Sequence, residues 1–322
     1  MGTASGEKGT RGSAENSVLA AGSALPVQAS ALFLVVLHGE VRVDDTIIGL
    51  AFGGRRRGGA GAGLGTGGTG AHVLRILEEQ GVTPAVIKTE CDTRVNVSIQ
   101  DGSDRPPTTF NMKGGPILDE EWREMILTVA DLAGNADWVC MGGSLPSGIP
   151  MDAWRTLIRT IKSRPVKVLL DADNEPMKLG MEGGPHLIKP NIKEASRLLG
   201  REITGMLSAV EAAEELRGQL EASGTKGAAV VLSMGSEGAV AATPEGKWLV
   251  PAIPVSAKST IGSGDSMLGG LLAAFQAGQA WEEALKWGSA AGAATAMTDG
   301  TEIARKPVVQ KLLNQASVTR IA

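Results

Sequence analysis

The chain has 322 residues, 43% of them hydrophobic, and its 31 Lys and Arg nearly balance 35 Asp and Glu for a formal net charge of -4. That length holds one large globular unit or two modest ones, and the slightly acidic balance leaves no basic footprint for nucleic acid, residues 55–57 being too short an arginine run to change this. Two distant cysteines, Cys91 and Cys140, fit reduced thiols in a cytoplasmic protein better than a disulfide, and His38, His72 and His186 offer little for a His-based metal site.

Residues 1–30 are rich in Gly, Ala and Ser and read as a mobile tail, with the folded domain spanning 31–322. Residues 18–37 are uncharged and largely apolar. Gly22, Ser23, Pro26, Gln28 and Ser30 interrupt them, and Glu7, Lys8, Arg11 and Glu15 cancel ahead of them, so neither a membrane span nor a signal peptide is expected. Residues 31–37 suit a strand and 39–50 a strand pair. Residues 52–68 are a Gly/Arg stretch without periodicity, and no strand is expected over 52–62. Val73, Leu74, Ile76 and Leu77 share one face of a helix over 71–80, which Gly81 stops. Residues 93–100 alternate as a strand that 108–112 can pair with.

From Asp119 onward helices and strands alternate. Helices are expected over 119–132, 151–163, 193–199, 208–222, 266–277 and 281–298. Strands are expected over 137–141, 166–171, 228–233, 239–242 and 247–250. Such alternation implies parallel βαβ units, whose loops gather at the carboxyl ends of the strands. The loops at 142–148, 171–174, 189–194 and 233–238 are therefore expected along one edge.

The stretch Ser259-Thr260-Ile261-Gly262-Ser263-Gly264-Asp265-Ser266 carries the most chemistry. A glycine-rich turn runs into an apolar helix marked by Met267, Leu268, Leu271, Leu272 and Phe275. The amides of Gly262, Ser263 and Gly264, with the positive helix end, make an anion site. Asp265 is either the helix N-cap or a proton acceptor beside that site, the pairing that phosphoryl transfer to a hydroxyl needs. Gly63, Gly65 and Gly68 match G-x-G-x-x-G, with Glu90 about twenty residues on, but without a preceding strand a dinucleotide site, and the oxidoreductase it would serve, lacks its frame. A Walker A pattern is absent.

The 262–266 run resembles the C-terminal signature of the PfkB sugar kinases, of the ribokinase-like superfamily, with Ser263 in place of the usual alanine. Four more segments agree in order: Thr93-Arg94-Val95-Asn96 with T-R-x-N, residues 142–148 with G-S-L-P-x-G, residues 189–194 with K-P-N-x-x-E, and residues 233–238 with S-x-G-x-x-G. The resemblance covers roughly residues 63 to 314. It implies a ribokinase-like α/β/α sandwich with a mostly parallel central sheet and a small β-sheet lid from about 34–50 and 93–113. It implies ATP and Mg2+ as cofactors and phosphorylation of a hexose phosphate: fructose 1-phosphate first, then tagatose 6-phosphate or fructose 6-phosphate. A homodimer through the lid is implied as well.

By the same resemblance Asp265 is the general base, and Gly262, Ser263 and Gly264 steady the transferred phosphoryl. Ser233, Gly235, Gly238 and Asn191 lie on the nucleotide side. Asn191 and Glu194 organise the metal through water, although their spacing equally fits a capping box. Arg94 and Ser144 meet the substrate phosphate, with Gly53 and Gly54 on the sugar side. The N-terminal part departs from the family: no N-P-x-x-D motif precedes Gly39, and residues 53–59 (GGRRRGG) stand where G-G-K-G-x-N and a helix are usual. Either the chain is an impaired pseudokinase that binds nucleotide or sugar phosphate, or the N-terminal sequence reflects a shifted reading frame.

Overall fold

The computed structural model describes residues 28–29, 33–37, 59–65, 67–79, 83–99, 108–110, 114–299, 302 and 304–321. The elements run β1 (Gln28–Ala29), β2 (Phe33–Leu37), β3 (Gly59–Gly65), α1 (Gly68–Glu79), β4 (Thr83–Thr89), β5 (Val95–Ile99), β6 (Thr108–Phe110), α2 (Asp119–Leu132), β7 (Trp138–Gly142), α3 (Ala153–Ile161), β8 (Lys167–Asp171) and α4 (Asn174–Met181). There follow β9 (Leu187–Ile188), α5 (Ile192–Leu199), α6 (Gly205–Ala222), β10 (Ala229–Ser233), β11 (Ala239–Thr243), β12 (Gly246–Val250), α7 (Ser263–Gln276), α8 (Trp281–Ala296), α9 (Lys306–Leu313) and β13 (Thr319–Ile321).

Among the described residues ten strands form one sheet, in the order β13-β12-β11-β10-β9-β8-β7-β2-β3-β4. Strands β7 to β10 are parallel, as are β3 and β4, while β2 is antiparallel to both β7 and β3. The carboxyl ends of β3, β4 and β7–β10 therefore share an edge. Because successive strand side chains face opposite ways, the central strands feed two cores. Val139, Met141, Val168, Leu170, Val230 and Leu232 pack with α2–α6. Trp138, Leu169, Leu187, Ala229 and Val231 pack with α7–α9. The result is a three-layer α/β/α sandwich. Helix α3 shows how a helix joins it: Trp154, Leu157, Ile158 and Ile161 recur at helical spacing and all are buried. Each such side chain contributes about 1.5–3 kcal/mol of hydrophobic stabilisation.

Helices α7 and α8 lie unusually close. A Cβ on Gly270 would come within 2.5 Å of the Trp287 carbonyl, and one on Gly288 within 3.0 Å of the Met267 carbonyl. That close approach fixes the axis of α7, and with it the turn ahead of Asp265.

Several sequence expectations need correction. Residues 59–65 form β3, inside the sheet between β2 and β4, although no strand was expected through residue 62. The ladder is a backbone property, so a Gly/Ala run with no side-chain pattern can be held by partners on both sides. Residues 34–37, expected in the lid, lie in the main sheet, where β2 pairs with β7; an apolar run with two available partner strands is recruited to the core. Strand β4, helix α4 and helix α9 had no counterpart in the periodicity. The strand pair expected over 39–50 and most of the tail over 1–30 lie outside the described residues. Among the described residues a second, three-stranded sheet, β1-β5-β6, holds residues 95–99 and 108–110 of the expected lid segment. No described helix is long and apolar enough to cross a membrane.

Candidate active site

The motif loops meet at the carboxyl edge of the parallel strands. Gly142 ends β7, and the next amide, Gly143, donates to the Asp171 carbonyl at the end of β8 (3.0 Å). Lys189, just past β9, is 6% exposed, and its Nζ lies 3.3 Å from an Asp171 carboxylate oxygen. That ammonium also lies directly under the turn into α7, within 3.0 Å of where a Cβ on Gly264 would be. Asn191 bridges to Ser233 at the end of β10. A continuous set of contacts thus joins the ends of β7, β8, β9 and β10 to the first turn of α7.

The helix starts earlier than its apolar pattern suggests. Its N-cap is Gly262, held at φ 75, a conformation glycine adopts without strain. Asp265 is the third helical residue, which excludes the N-cap reading. The Ser263 amide donates to the Thr260 carbonyl (3.3 Å), and the Ser266 amide to that of Gly262 (2.9 Å). The amides of Gly262, Gly264 and Asp265 have no partner among the described residues. Free first-turn amides with a positive dipole end make an anion cradle. The Ser263 hydroxyl is buried and makes no hydrogen bond among the described residues.

Asp265 is exposed by surface area, yet the protein crowds its carboxyl and desolvates it. That crowding, reinforced by the neighbouring Asp171 carboxylate and opposed by Lys189, pushes its pKa up to about 6. Burial lowers the Lys189 pKa, but Asp171, Glu194 and Asp265 outweigh it and hold the ammonium above its ordinary value. Neither Lys189 nor Asp171 was singled out from the sequence. The signals were a lysine opening the quoted K-P-N segment and an aspartate closing an apolar strand.

Asn191 and Glu194 form the capping box of α5. The Glu194 amide donates to Asn191 Oδ1 (3.0 Å) and the Asn191 amide to Glu194 Oε2 (2.9 Å). Burial raises the Glu194 pKa, with the Asn191 amide and Lys189 acting the other way. Glu194 Oε1 has no partner among the described residues, and the carboxyl interacts coulombically with Lys189 and Asp171. Among the described residues no group of three His, Cys, Asp or Glu side chains forms a metal cage. A sparse set of hard oxygens suits Mg2+, which keeps most of its waters.

On the other flank, Arg94 Nη2 donates to Ser144 Oγ (2.6 Å), so these two residues meet although fifty positions apart. Arg94 Nε is buried without a partner among the described residues, leaving guanidinium capacity for an anion. The Ser147 carbonyl accepts from the Ile117 amide (2.8 Å), which anchors the 144–148 loop. Gly235 and Gly238 shape the turn after β10. Gly238 has φ 96, and a Cβ there would strike the Val250 carbonyl. Gly53 and Gly54 lie outside the described residues. The strand that the dinucleotide fingerprint lacked is present as β3, but Gly63 and Gly65 lie within it, paired with Ile87 and Thr89, rather than in the turn before α1.

The chain is 29% identical over 239 residues to a protein of Escherichia coli K12 named 1-phosphofructokinase, covering 74% of each chain. It is 30% identical over 247 residues to one named ATP-dependent 6-phosphofructokinase isozyme 2 of the same organism, covering 76% of this chain and 78% of that one. The crystal structure of E. coli phosphofructokinase-2 in complex with potassium superimposes with a TM-score of 0.74 at 24% identity, over 89% of this chain and 97% of that one, which establishes the ribokinase-like fold. The model of the pfkB family carbohydrate kinases matches residues 58–307. This chain therefore belongs to the pfkB family, as a kinase that transfers phosphate to a sugar hydroxyl.

Proposed function

We propose that the protein transfers the γ-phosphoryl of ATP to a hydroxyl of a hexose phosphate, with Asp265 as general base. Fructose 1-phosphate is the first acceptor, and tagatose 6-phosphate or fructose 6-phosphate the next. The carrying observation is the placement of Asp265 in the first turn of α7, beside amides of Gly264 and Asp265 that have no partner among the described residues and above the Lys189–Asp171 pair; burial raises its pKa to about 6. A base with a pKa just below neutral is ionised at working pH and still has affinity for a proton. Asp265 takes the proton of the acceptor hydroxyl as its oxygen attacks phosphorus. The amide cradle, with Gly262 at its head, receives charge on the transferred group, and Lys189 offsets the crowded carboxylates. Arg94, steered by Ser144, suits the phosphate already on the sugar. Ser233, Gly235 and Gly238 form the nucleotide side. Mg2+, held through water by Glu194 and Asn191, would neutralise phosphate charge. The lid sheet β1-β5-β6, with Phe110 exposed on it, is the surface proposed to pair two copies.

The test is a coupled ADP-release assay with Mg-ATP against a panel of hexose monophosphates. Activity on one of them, reduced about 10²–10⁴-fold in Asp265→Asn with KM little changed, is the expected result. ATP binding without turnover on any sugar would replace this reading with that of a pseudokinase.

A further inference from the structure

At the end of the sheet opposite the candidate active site lies a second concavity, with a volume of about 560 Å³. Strand β10 spans the interval between the two, roughly 13 Å at ~3.3 Å per residue. Helix α6 contributes Glu214 and Arg217, the β11–β12 turn contributes Thr243 and Gly246, and Lys247 and Arg320 complete the charged lining. Three cationic heads thus face one carboxylate.

None of the three is fully engaged. Lys247 and Glu214 are 3.5 Å apart and partly exposed, a loose pair. Arg217 is fixed by the Ala228 carbonyl (Nε, 3.0 Å) and Glu221 (Nη2, 2.7 Å), leaving Nη1 without a partner among the described residues. Arg320 makes no ion pair or hydrogen bond among the described residues. Its guanidinium lies over the Trp248 ring, 5.8 Å from the centroid, and against Gly246, where a Cβ would come within 2.8 Å of Nε. The floor is rigid: Trp248 Nε1 donates to Thr243 Oγ1 (3.0 Å), which donates to the Gly246 carbonyl (2.9 Å).

A planar guanidinium preset on a stiff hairpin, with a second guanidinium and an ammonium around the same hollow, matches the several oxygens of a tetrahedral anion. The volume exceeds that of phosphate alone and leaves room for an organic group. We propose that this pocket binds a phosphate monoester, at a site separate from the one that contains Asp265.

Calorimetric titration of the full chain with inorganic phosphate, adenosine monophosphate and a hexose monophosphate tests this, comparing wild type with Lys247→Met and Arg320→Met. The expected result is a salt-sensitive binding component in wild type, weakened at least about tenfold in both variants, while the basal kinase rate is unchanged. Tighter binding of the nucleotide or of the sugar phosphate than of inorganic phosphate identifies the organic part. Arg320→Lys, which keeps charge and cover on Trp248, should retain part of the affinity and guards against a folding defect in Arg320→Met. Coincident isotherms for wild type and all variants, or no binding of any probe in wild type, would overturn the proposal.

Discussion

Asp265 is where a residue's surroundings decide its chemistry. Its raised pKa makes the rate expectation simple: kcat/KM should fall as pH drops through about 6, as the base is protonated, and a pH–rate profile checks this. Stability should run the other way. A carboxyl whose folded pKa lies above its ordinary 3.8 makes the folded state bind protons more tightly between 3.8 and about 6, so its contribution declines as pH rises across that window. Asp265→Asn is therefore expected to melt higher than wild type at pH 8, as thermal denaturation would show. Lys189→Met makes a complementary test. Removing the buried partner of Asp171 should cost about 3 kcal/mol, read by chemical denaturation. It should also move the acid limb of the pH–rate profile upward, because Lys189 holds the Asp265 pKa down; a profile that stays in place would count against this charge arrangement. The sequence could show that Asp265 follows a glycine turn. It could not show that Lys189 lies under Gly264, because that contact joins residues seventy-five positions apart.

At the level of the element, the position of the turn ahead of Asp265 depends on how closely α7 and α8 approach. Gly270→Val would force a side chain against the Trp287 carbonyl and should cost about 1–3 kcal/mol. Because the same shift displaces the first turn of α7, kcat should fall more than KM rises, in contrast to an equally destabilising change elsewhere in the core; steady-state kinetics separate the two. Helix α2 was legible in full, from Asp119 to Leu132, since its periodicity is strong and its acidic first turn marks the start. The start of α7 was misjudged by three residues, because Ser263, Gly264 and Asp265 carry no apolar signal and only the backbone reveals that they are helical. Strand β3 was missed for the opposite reason. Its seven residues, GAGAGLG, have no alternation, and only β2 and β4 on either side make it a strand.

On the scale of the whole molecule, the sheet is also the frame for a pH response unconnected with catalysis. His186 lies just ahead of β9, beside the start of β8: its Nδ1 accepts from the Val168 amide (3.0 Å), and its own amide donates to the Val168 carbonyl (2.7 Å). Burial, helped by Lys167 and Lys162, lowers its pKa below the ordinary 6.5. The neutral ring is the form the fold holds, so stability should be full above about 6.5 and decline as pH falls below it, the unfolded chain taking up the proton first. His186→Gln should flatten that part of a stability-versus-pH curve measured by urea denaturation.

The sequence by itself determined the family and the fold class: a glycine turn joined to a carboxylate, five ordered motifs and an alternation of helices and strands that leaves little choice but an α/β sandwich. These are local properties, written in glycine placement, helical and strand periods and the spacing within single loops. The tertiary structure alone decided which strands neighbour each other, that β2 runs antiparallel between β7 and β3, and that Arg94 meets Ser144. It also decided that burial raises the proton affinity of Asp265, with Asp171 acting in the same direction and Lys189 against it. Those outcomes depend on packing and electrostatics between residues far apart in the chain, where a few ångströms of through-space distance govern the energy and sequence separation carries no information about it.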